Sequence, residues 1–493
     1  MSQDRTQLLK ESTTNDVVTE RGGYETLDDA IQNVSSTNVG KTRSLPQYVA
    51  AITATLPALL AGMVLGWTSP IMESLLLGKF NHIKINTSQM GWIGSFTNLG
   101  AMTMCIPTGF ICDLFGRKKT LLSISIPFLI GWFLIIYSES VLFLYMGRLI
   151  SGMGFGASCV AAPIYISEIS EKNIRGTLGS YFQLMVATGI LVSYIAGSLM
   201  SPLNFTILCA SLPFLFLILF SFQPESPVYL MKKGLTEQAK RNLIRLRGSE
   251  IDVSEELAEI EGVLKESGQT ATSIIQTFRR YSNLKALLIA FSLMFFQQFC
   301  GINAVVLYTT SIFKSSGITL NDNICTIALG LIQVVATLFS SCLVDRLGRR
   351  ILMITSTSVS GLSTLIMGVY FTLKDRVELD KTIMDNLGLI PIISLGLFMV
   401  MFSIGLGPLP WVIGAEIFPP EVKSIACSGA GTFNMFLAFI VTKFFLDVSS
   451  TIGEDSSFYI FSCISLIGTV FTYYILPETK GKSIEDIQFE LSL

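Results

Sequence analysis

Three carboxamides lie close together in an otherwise apolar stretch, Phe295 to Phe313, which reads FFQQFCGINAVVLYTTSIF. They are Gln297, Gln298 and Asn303, with Gly301 among them and Tyr308 beyond. An amide placed in hydrocarbon without a partner costs about 4–8 kcal/mol on an alkane scale. Polar side chains within a membrane span therefore face a bundle interior or a wet cavity. On a continuous helix Gln297 and Gly301 are four apart, and Gln298 and Asn303 fall within two turns. Three amides would then offer donors and acceptors, but no charge, to one cavity. That chemistry suits a neutral ligand with many hydroxyls. The same amides would serve equally to bond one helix to another, and this stretch alone leaves both readings open.

The elements that hold this stretch follow from composition. Of 493 residues, 50% are hydrophobic and 14% charged, and the mean hydropathy is +0.59. Soluble domains carry about 25% charged residues, so the chain reads as an all-α membrane protein of many spans. A net charge of −2 gives no footing for nucleic acid. The nine cysteines form no CxxC or Cys/His cluster, so neither a disulfide framework nor a metal site is expected. The one histidine, His82, lies in a polar loop. That inventory does not assemble a hydrolytic or metal-dependent enzyme, and no cofactor is expected.

Apolar runs of about 20 residues are long enough to cross a bilayer. Twelve occur, near 49–70, 88–111, 119–137, 141–164, 177–200, 204–222, 284–312, 324–344, 351–373, 388–414, 425–447 and 457–476. A charged stretch between the sixth and seventh holds two amphipathic segments, Thr236–Arg247 and Ser254–Glu266. Ser254 is expected to cap the second, whose apolar stripe is Leu257, Ile260 and Leu264. The expected division is a polar tail at 1–47, a six-helix bundle at 48–224, a helical linker at 225–283, a second bundle at 284–477 and a tail at 478–493. Lys and Arg crowd the loops after the second, fourth and eighth runs and the linker. Both termini and the linker are therefore expected in the cytoplasm.

The chain repeats itself. Asp113-Leu114-Phe115-Gly116-Arg117-Lys118 returns as Asp345-Arg346-Leu347-Gly348-Arg349-Arg350. Glu168, seven before Arg175, returns as Glu416, seven before Lys423. Pro224-Glu225-Ser226 returns as Pro477-Glu478-Thr479. Three markers in one order imply a duplication of six spans. The glycines permit tight turns. The acids and bases at span ends are expected to pair as the two halves close on that side. Such pairs are worth about 0–1 kcal/mol each at a wet surface, which suits a gate.

With these motifs stand Arg148 with Gly152, Gly154 and Gly156; Pro163-Ile164-Tyr165; and Gly405-Leu406-Gly407-Pro408-Leu409-Pro410-Trp411. Together they resemble the sugar transporters of the major facilitator superfamily over about residues 48–488. Within it the chain is most similar to the facilitated glucose and trehalose carriers of insects. The resemblance implies the major facilitator fold, with twelve transmembrane helices in two bundles and a sugar site at the midplane between them. It implies that Gln183, Gln297, Gln298, Asn303, Gln333, Trp411 and Asn434 contact the sugar. Tyr308 would belong to an outer gate, and Gly407, Pro408 and Pro410 to a breakable tenth span. Asp113, Arg117, Glu168, Arg175, Glu225, Asp345, Arg349, Arg350, Glu416, Lys423 and Glu478 would form a cytoplasmic charge network. Some positions depart from the family. Gln333 stands for an asparagine, Met435 for a tryptophan and Ser403 for an acid. Leu114, Val228 and Lys423 thin the charge network.

Proton-coupled relatives carry an aspartate in the first span. Here that span, AAITATLPALLAGMVLGWTSP, has no carboxylate, and the acids seen are at span ends. The expectation is facilitated diffusion of a neutral sugar, against proton symport or a non-transporting sensor as alternatives. Asn86 begins a sequon on the outer side. No apolar segment near Met1 marks a cleaved signal. Leu8 and Leu9 follow an acid, resembling a sorting signal that binds an adaptor. The plasma membrane is expected, with an endosomal or lysosomal membrane the destination if that signal is read.

Overall fold

The structure is a computed structural model. It describes residues 44–492 apart from 172, 249–251, 270–279, 318–320, 378–386 and 483. The side chains of 263, 265–269, 341, 342, 345, 420, 421, 424 and 485 also lie outside the description. Leu8 and Leu9 and the side chain of Asp345 are thus outside it.

Hydrocarbon offers no hydrogen bonds, so a chain crossing it must satisfy its backbone internally, and helices do so within one segment. Among the described residues, twelve helical segments are long and apolar enough to cross a membrane: Leu45–Leu76, Thr87–Phe115, Arg117–Ile136, Val141–Ile169, Arg175–Leu199, Pro202–Ser221, Tyr281–Ser316, Asp322–Ser340, Arg349–Asp375, Ile390–Ile417, Ile425–Ile452 and Glu454–Ile475. They are called spans one to twelve. The helix of span eight runs on to Leu347, and that of span eleven starts at Pro420. The start of span one, the linker helices and the helix Ile484–Ser492 share one face, here the linker face; the other is the distal face.

Local chemistry sets the ends. The side chain of Asn86 accepts from the Gln89 amide and the Gln89 side chain accepts from the Asn86 amide, a reciprocal cap for span two. Gly116 (φ +97°) and Gly348 (φ +90°) turn the chain between spans two and three and between eight and nine. Both take a conformation other residues avoid. In the linker a short helix, Pro227–Lys232, comes first; of the two amphipathic segments expected, the first is the helix Thr236–Arg247. The second begins at Ser254, but its cap is Asp252, whose carboxylate accepts from the Ser254 amide at 2.9 Å. Ser254 stands one position too late to cap. Leu257 packs with Val253, Leu243, Ala239 and Leu230 in a small core of its own. Arg247, 2% exposed, fastens this unit to the end of span four: it donates to the Ile169 carbonyl at 2.8 Å and pairs with Glu256 at 2.7 Å.

Spans two and four touch backbone to backbone. A Cβ added at Gly100 would lie 2.0 Å from the Leu149 carbonyl oxygen, and one at Gly152 or Gly156 would lie 2.2 Å from those of Thr97 and Ala101. Small residues at four-residue spacing are how helices approach closely where no hydrophobic force separates protein from solvent.

Four spans are interrupted among the described residues, span three only at Ile124, between Arg117–Ser123 and Ser125–Ile136. Span one divides at Thr55 and Trp67 into three helices. Span seven stops at Phe299 and resumes at Ile302 across Gly301, whose φ is +95°. Span ten passes through a π-helical turn, Phe402–Leu406, before Gly407 and Pro408. The sequence reading anticipated the break in span ten but took Gln297 to Asn303 as one helix. Gly301 instead divides it.

Substituting Gly152→Ala forces apart two backbones that cannot yield, at a cost of roughly 1–3 kcal/mol. Thermal unfolding in detergent should show a lowered midpoint. Gly109→Ala, whose added carbon meets nothing within 4 Å, should leave the midpoint unchanged.

Candidate functional site

The break in span ten starts with its prolines. A proline lacks the N–H that would bond the carbonyl four residues back. Pro408 therefore strips the Ile404 carbonyl and Pro410 the Leu406 carbonyl. Each finds a side chain from elsewhere. Ser340 of span eight donates to the Ile404 oxygen at 3.2 Å. Gln297 of span seven donates to the oxygens of Leu406 at 2.9 Å and Gly407 at 2.6 Å. Ser356 of span nine accepts from the Leu406 amide at 2.8 Å and donates to the Met401 carbonyl at 2.7 Å.

From Gln297 the bonding runs on through three more carboxamides. Asn434 of span eleven donates to Gln297 Oε1 at 2.7 Å, and Gln298 donates to Asn434 Oδ1 at 2.8 Å. Asn303 closes on Gln298 Oε1 from across the Gly301 break. The result is a directed relay, Asn303 to Gln298 to Asn434 to Gln297 to the span-ten carbonyls. Gln297, Gln298 and Asn434 are at most 5% exposed, whereas Asn303 is half-buried. No member is charged.

The other predicted contacts stand around this relay without joining it. Gln333, 3% exposed, has a side-chain oxygen with no partner among the described residues. Ser403, in the π turn, likewise has a spare hydroxyl. Gln183 is half-buried on span five. Trp411 is 40% exposed, and its indole sits where a side chain at Gly431 of span eleven would touch it at 3.3 Å. Linker-ward of Gln298, an open groove of about 390 Å³ is lined by Leu284, Leu288, Phe291, Phe295 and Phe433.

Distal to the relay, spans one to six meet spans seven to twelve through buried contacts. Asn98 of span two donates to Thr442 Oγ1 of span eleven at 3.2 Å, and within the second set the Tyr308 hydroxyl donates to the Thr442 carbonyl at 3.1 Å. A Cβ at Gly94 would fall 2.7 Å from the Tyr308 hydroxyl, so a glycine lets the tyrosine lie flat against span two. Glu73 and Lys314 pair at 2.7 Å on the exposed rim. Lys443, 5% exposed, lies 5.0 Å from the Trp92 ring centre and bonds Asp447 at 2.7 Å. The expectation that acids occur only at span ends thus needs correction: Asp447 is inside span eleven, with its charge matched one turn away. A lone lysine followed by an aspartate four on in an apolar run was the signal available.

Arg148, fully buried in span four, is held by neutral oxygens. It donates to the carbonyls of Val64 at 2.6 Å and Ile93 at 3.1 Å and to Thr68 Oγ1 at 2.9 Å, and its guanidinium lies 5.3 Å from the Trp67 ring centre.

The charge network takes a form the sequence reading did not expect. The pairs close within each six-span set, twice over. Arg117 bonds Glu168 at 2.8 Å, and Arg349 bonds Glu416 at 3.0 Å. Ser226 donates to Glu168, and Thr479 donates to Glu416. Glu225 accepts the amides of Arg117 and Lys118 at 3.0 Å each, and Glu478 those of Arg349 and Arg350 at 2.9 and 3.1 Å. Each carboxylate therefore sits at the amino end of the span that follows the glycine turn, where the helix dipole favours it. A Cβ at Gly116 would meet Glu225 Oε2 at 2.4 Å, and one at Gly348 would meet Glu478 Oε2 at 2.8 Å. Asp113 pairs with Arg117 and with Lys232, both at 3.2 Å. Arg175 is exposed and reaches only as far as the Ser170 carbonyl, and Lys423 is exposed.

Burial opposes the charge on Glu478, but bonds from the amides of Lys480, Arg349, Arg350 and Thr479 outweigh it and hold its carboxyl below the usual carboxylate value. A lowered folded value stabilises above the unfolded value of about 4.3 and is lost as pH falls through the folded one. Glu478→Gln should lower the thermal midpoint at pH 7. The gap from the parent should close as the pH is taken below about 4.

Comparison with known proteins places the chain. It matches the "Sugar (and other) transporter" family over residues 21–491. It is 35% identical over 447 residues to a facilitated trehalose transporter, Tret1, of Polypedilum vanderplanki, covering 90% of this chain and 87% of that one. A Tret1-2 homolog of Drosophila sechellia is 35% identical, with 90% of each chain covered. Among solved structures it is similar to the proton:xylose symporter XylE bound to 6-bromo-6-deoxy-D-glucose, with TM-score 0.74, 24% identity and coverage of 91% and 99%. It is similar also to inward-open XylE from E. coli, with TM-score 0.73, 24% identity and coverage of 89% and 98%. At that identity the structural likeness speaks for the fold alone. A family match over nearly the whole chain makes it a member of the "Sugar (and other) transporter" family, and its twelve spans take the major facilitator fold.

Proposed function

We propose that the chain carries a neutral sugar, trehalose or a glucose-type hexose, by facilitated diffusion. The sugar would bind at the amide relay, and spans one to six would rock against spans seven to twelve. The observation that carries this reading is the relay itself, which is four uncharged carboxamides, mid-span, each donating to the next. A hydroxyl both donates and accepts, so it can enter such a relay at any link without reversing it. Bonds lost to the sugar are replaced in kind, which keeps binding moderate and release possible. A carboxylate has no proton to donate onward and a cation no lone pair, so either would leave an amide unpaired in a dry site.

Asn303 and Gln298 are the members with capacity to spare. Gln297 is committed to the span-ten carbonyls and acts mainly in positioning. Gln333 offers a buried acceptor, and Trp411 an apolar face for a sugar ring. The names of the relatives favour trehalose, and a disaccharide asks only for a longer cavity. Arg148 on neutral partners, and Asp447 neutralised by Lys443, favour uniport, since neither leaves a carboxylate free to load a proton. The density of Lys and Arg on the linker face favours its placement in the cytoplasm. The cross-set bonds on the distal side favour a conformer closed to the outside.

Proteoliposomes test the coupling. Uptake of labelled glucose and trehalose should level at the external concentration with or without an imposed pH gradient. Accumulation driven by the gradient would overturn uniport, and no uptake of either sugar would overturn the substrate class. Gln298→Ala removes one acceptor and one donor and leaves the buried Asn434 and the half-buried Asn303 each a bond short. A loss of roughly 1–3 kcal/mol should raise the half-saturating sugar concentration about 10- to 100-fold. Uptake kinetics matching the parent would place the sugar elsewhere.

A further inference from the structure

In span seven the backbone leaves helical geometry at Tyr308 (φ −121°, ψ 17°). On an α-helix the carbonyl of residue 306 and the amide of residue 310, two residues either side of that kink, bond each other. Here both reach into the opposite six-span set. The Tyr194 hydroxyl of span five donates to the Val306 carbonyl at 2.7 Å. The Thr310 amide donates to Ser69 Oγ of span one at 3.1 Å. An amide has a single hydrogen, so the bond to Ser69 competes with the bond along the helix. Neither partner is a surface residue: Tyr194 is 1% exposed and Ser69 3%. Ser69 also shares a hydrogen with Thr310 Oγ1 at 2.9 Å, and Tyr194 with Thr309 Oγ1 at 3.3 Å. The tyrosine ring is wedged against span eight, where a Cβ at Gly330 would meet it at 3.0 Å.

We infer that Tyr194 and Ser69 are gate-positioning residues: they hold span seven kinked while the distal face is shut, so that opening this face and straightening span seven are one event. While the halves are together, a carbonyl and an amide of the kink are bonded by side chains of the other half. When the halves part, both side chains withdraw. The two backbone groups cannot stay unpaired at membrane depth, and the partners within reach are each other. The exchange replaces two bonds between the sets by one along the helix, so neither backbone group is stranded, and the Tyr194 and Ser69 hydroxyls turn to the water that enters as the face opens. Tyr308 lies between the two bonded positions and against Gly94 of span two, so its ring parts from span two in the same movement.

The test is side-specific labelling of the full-length protein in membranes by an impermeant maleimide, read peptide by peptide in mass spectrometry. Leu307→Cys reports the distal gate, because Leu307 is fully buried and packed where a Cβ at Gly94 would touch it at 3.1 Å. Leu77→Cys, at a site 54% exposed, normalises the signal. The quantity read is the labelling of the first reporter divided by that of the second. Adding Tyr194→Phe or Ser69→Ala should raise this ratio roughly fivefold, the factor that one hydrogen bond of usual net strength gives a two-state equilibrium. Thermal midpoints should stay within the spread of the parent, and Ser69→Thr, which keeps the hydroxyl, should restore the parental ratio. An unchanged ratio overturns the inference. So does a rise accompanied by a fallen midpoint, which marks general loosening, and so does failure of Ser69→Thr to restore. The inference rests on the rocking mechanism, and the two separate cleanly. If saturating trehalose or glucose shifts the ratio in the parent while Tyr194→Phe does not, rocking stands and the inference fails. If sugar shifts nothing, both fail.

Discussion

A backbone carbonyl in hydrocarbon must have a donor, and a helix that breaks inside a membrane creates carbonyls without one. The arrangement at the centre of this protein answers that constraint. Pro408 and Pro410 break span ten, and the two carbonyls they strip are taken by Ser340 and Gln297. Gln297 is then fixed in place with its oxygen turned to Asn434, and the relay to Asn303 follows link by link. The residues that make the span breakable and those suited to meet a sugar are therefore one hydrogen-bonded system. A change in one is transmitted to the other without any long-range device.

The same requirement operates at the linker face, where water is near and charge is tolerable. Duplication has there preserved individual bonds along with sequence. Glu225 and Glu478 each cap the following helix, and Glu168 and Glu416 each hold an arginine and a hydroxyl. Because these pairs close within a six-span set, they stiffen each set as a unit rather than tie the two together. Arg247 extends the first set to the linker helices in the same way. The distal side differs in kind. There the contacts between sets include single neutral bonds, as from Asn98 to Thr442, and close approaches at glycine, as between Gly94 and Tyr308. Stiff units joined by exchangeable contacts are what a rocking carrier requires.

Much of this was legible in the residues. Length and hydropathy determined twelve spans, since hydrocarbon thickness admits few alternatives. The Asp-x-x-Gly-Arg and Pro-Glu-Ser/Thr repeats determined the duplication, and their glycines announced turns that only glycine makes comfortably. The prolines after Gly405 announced a broken span, and the amides in span seven announced a polar centre. These signals are local, because each depends on what one residue type can or cannot do within a few neighbours.

Tertiary structure decided the rest. That Gln297 serves span ten rather than lying free, that the charge pairs stay within each set, and that Tyr194 and Ser69 meet the kink of span seven are facts about residues 51 to 241 positions apart in the chain. An amide, a hydroxyl or an arginine has several possible partners of equal chemical merit. Sequence records its capacity to bond, and only the packing of helices selects which partner lies within hydrogen-bonding distance. The break at Gly301 shows the limit most simply: glycine permits a positive φ anywhere, and it takes the neighbouring spans to require one there.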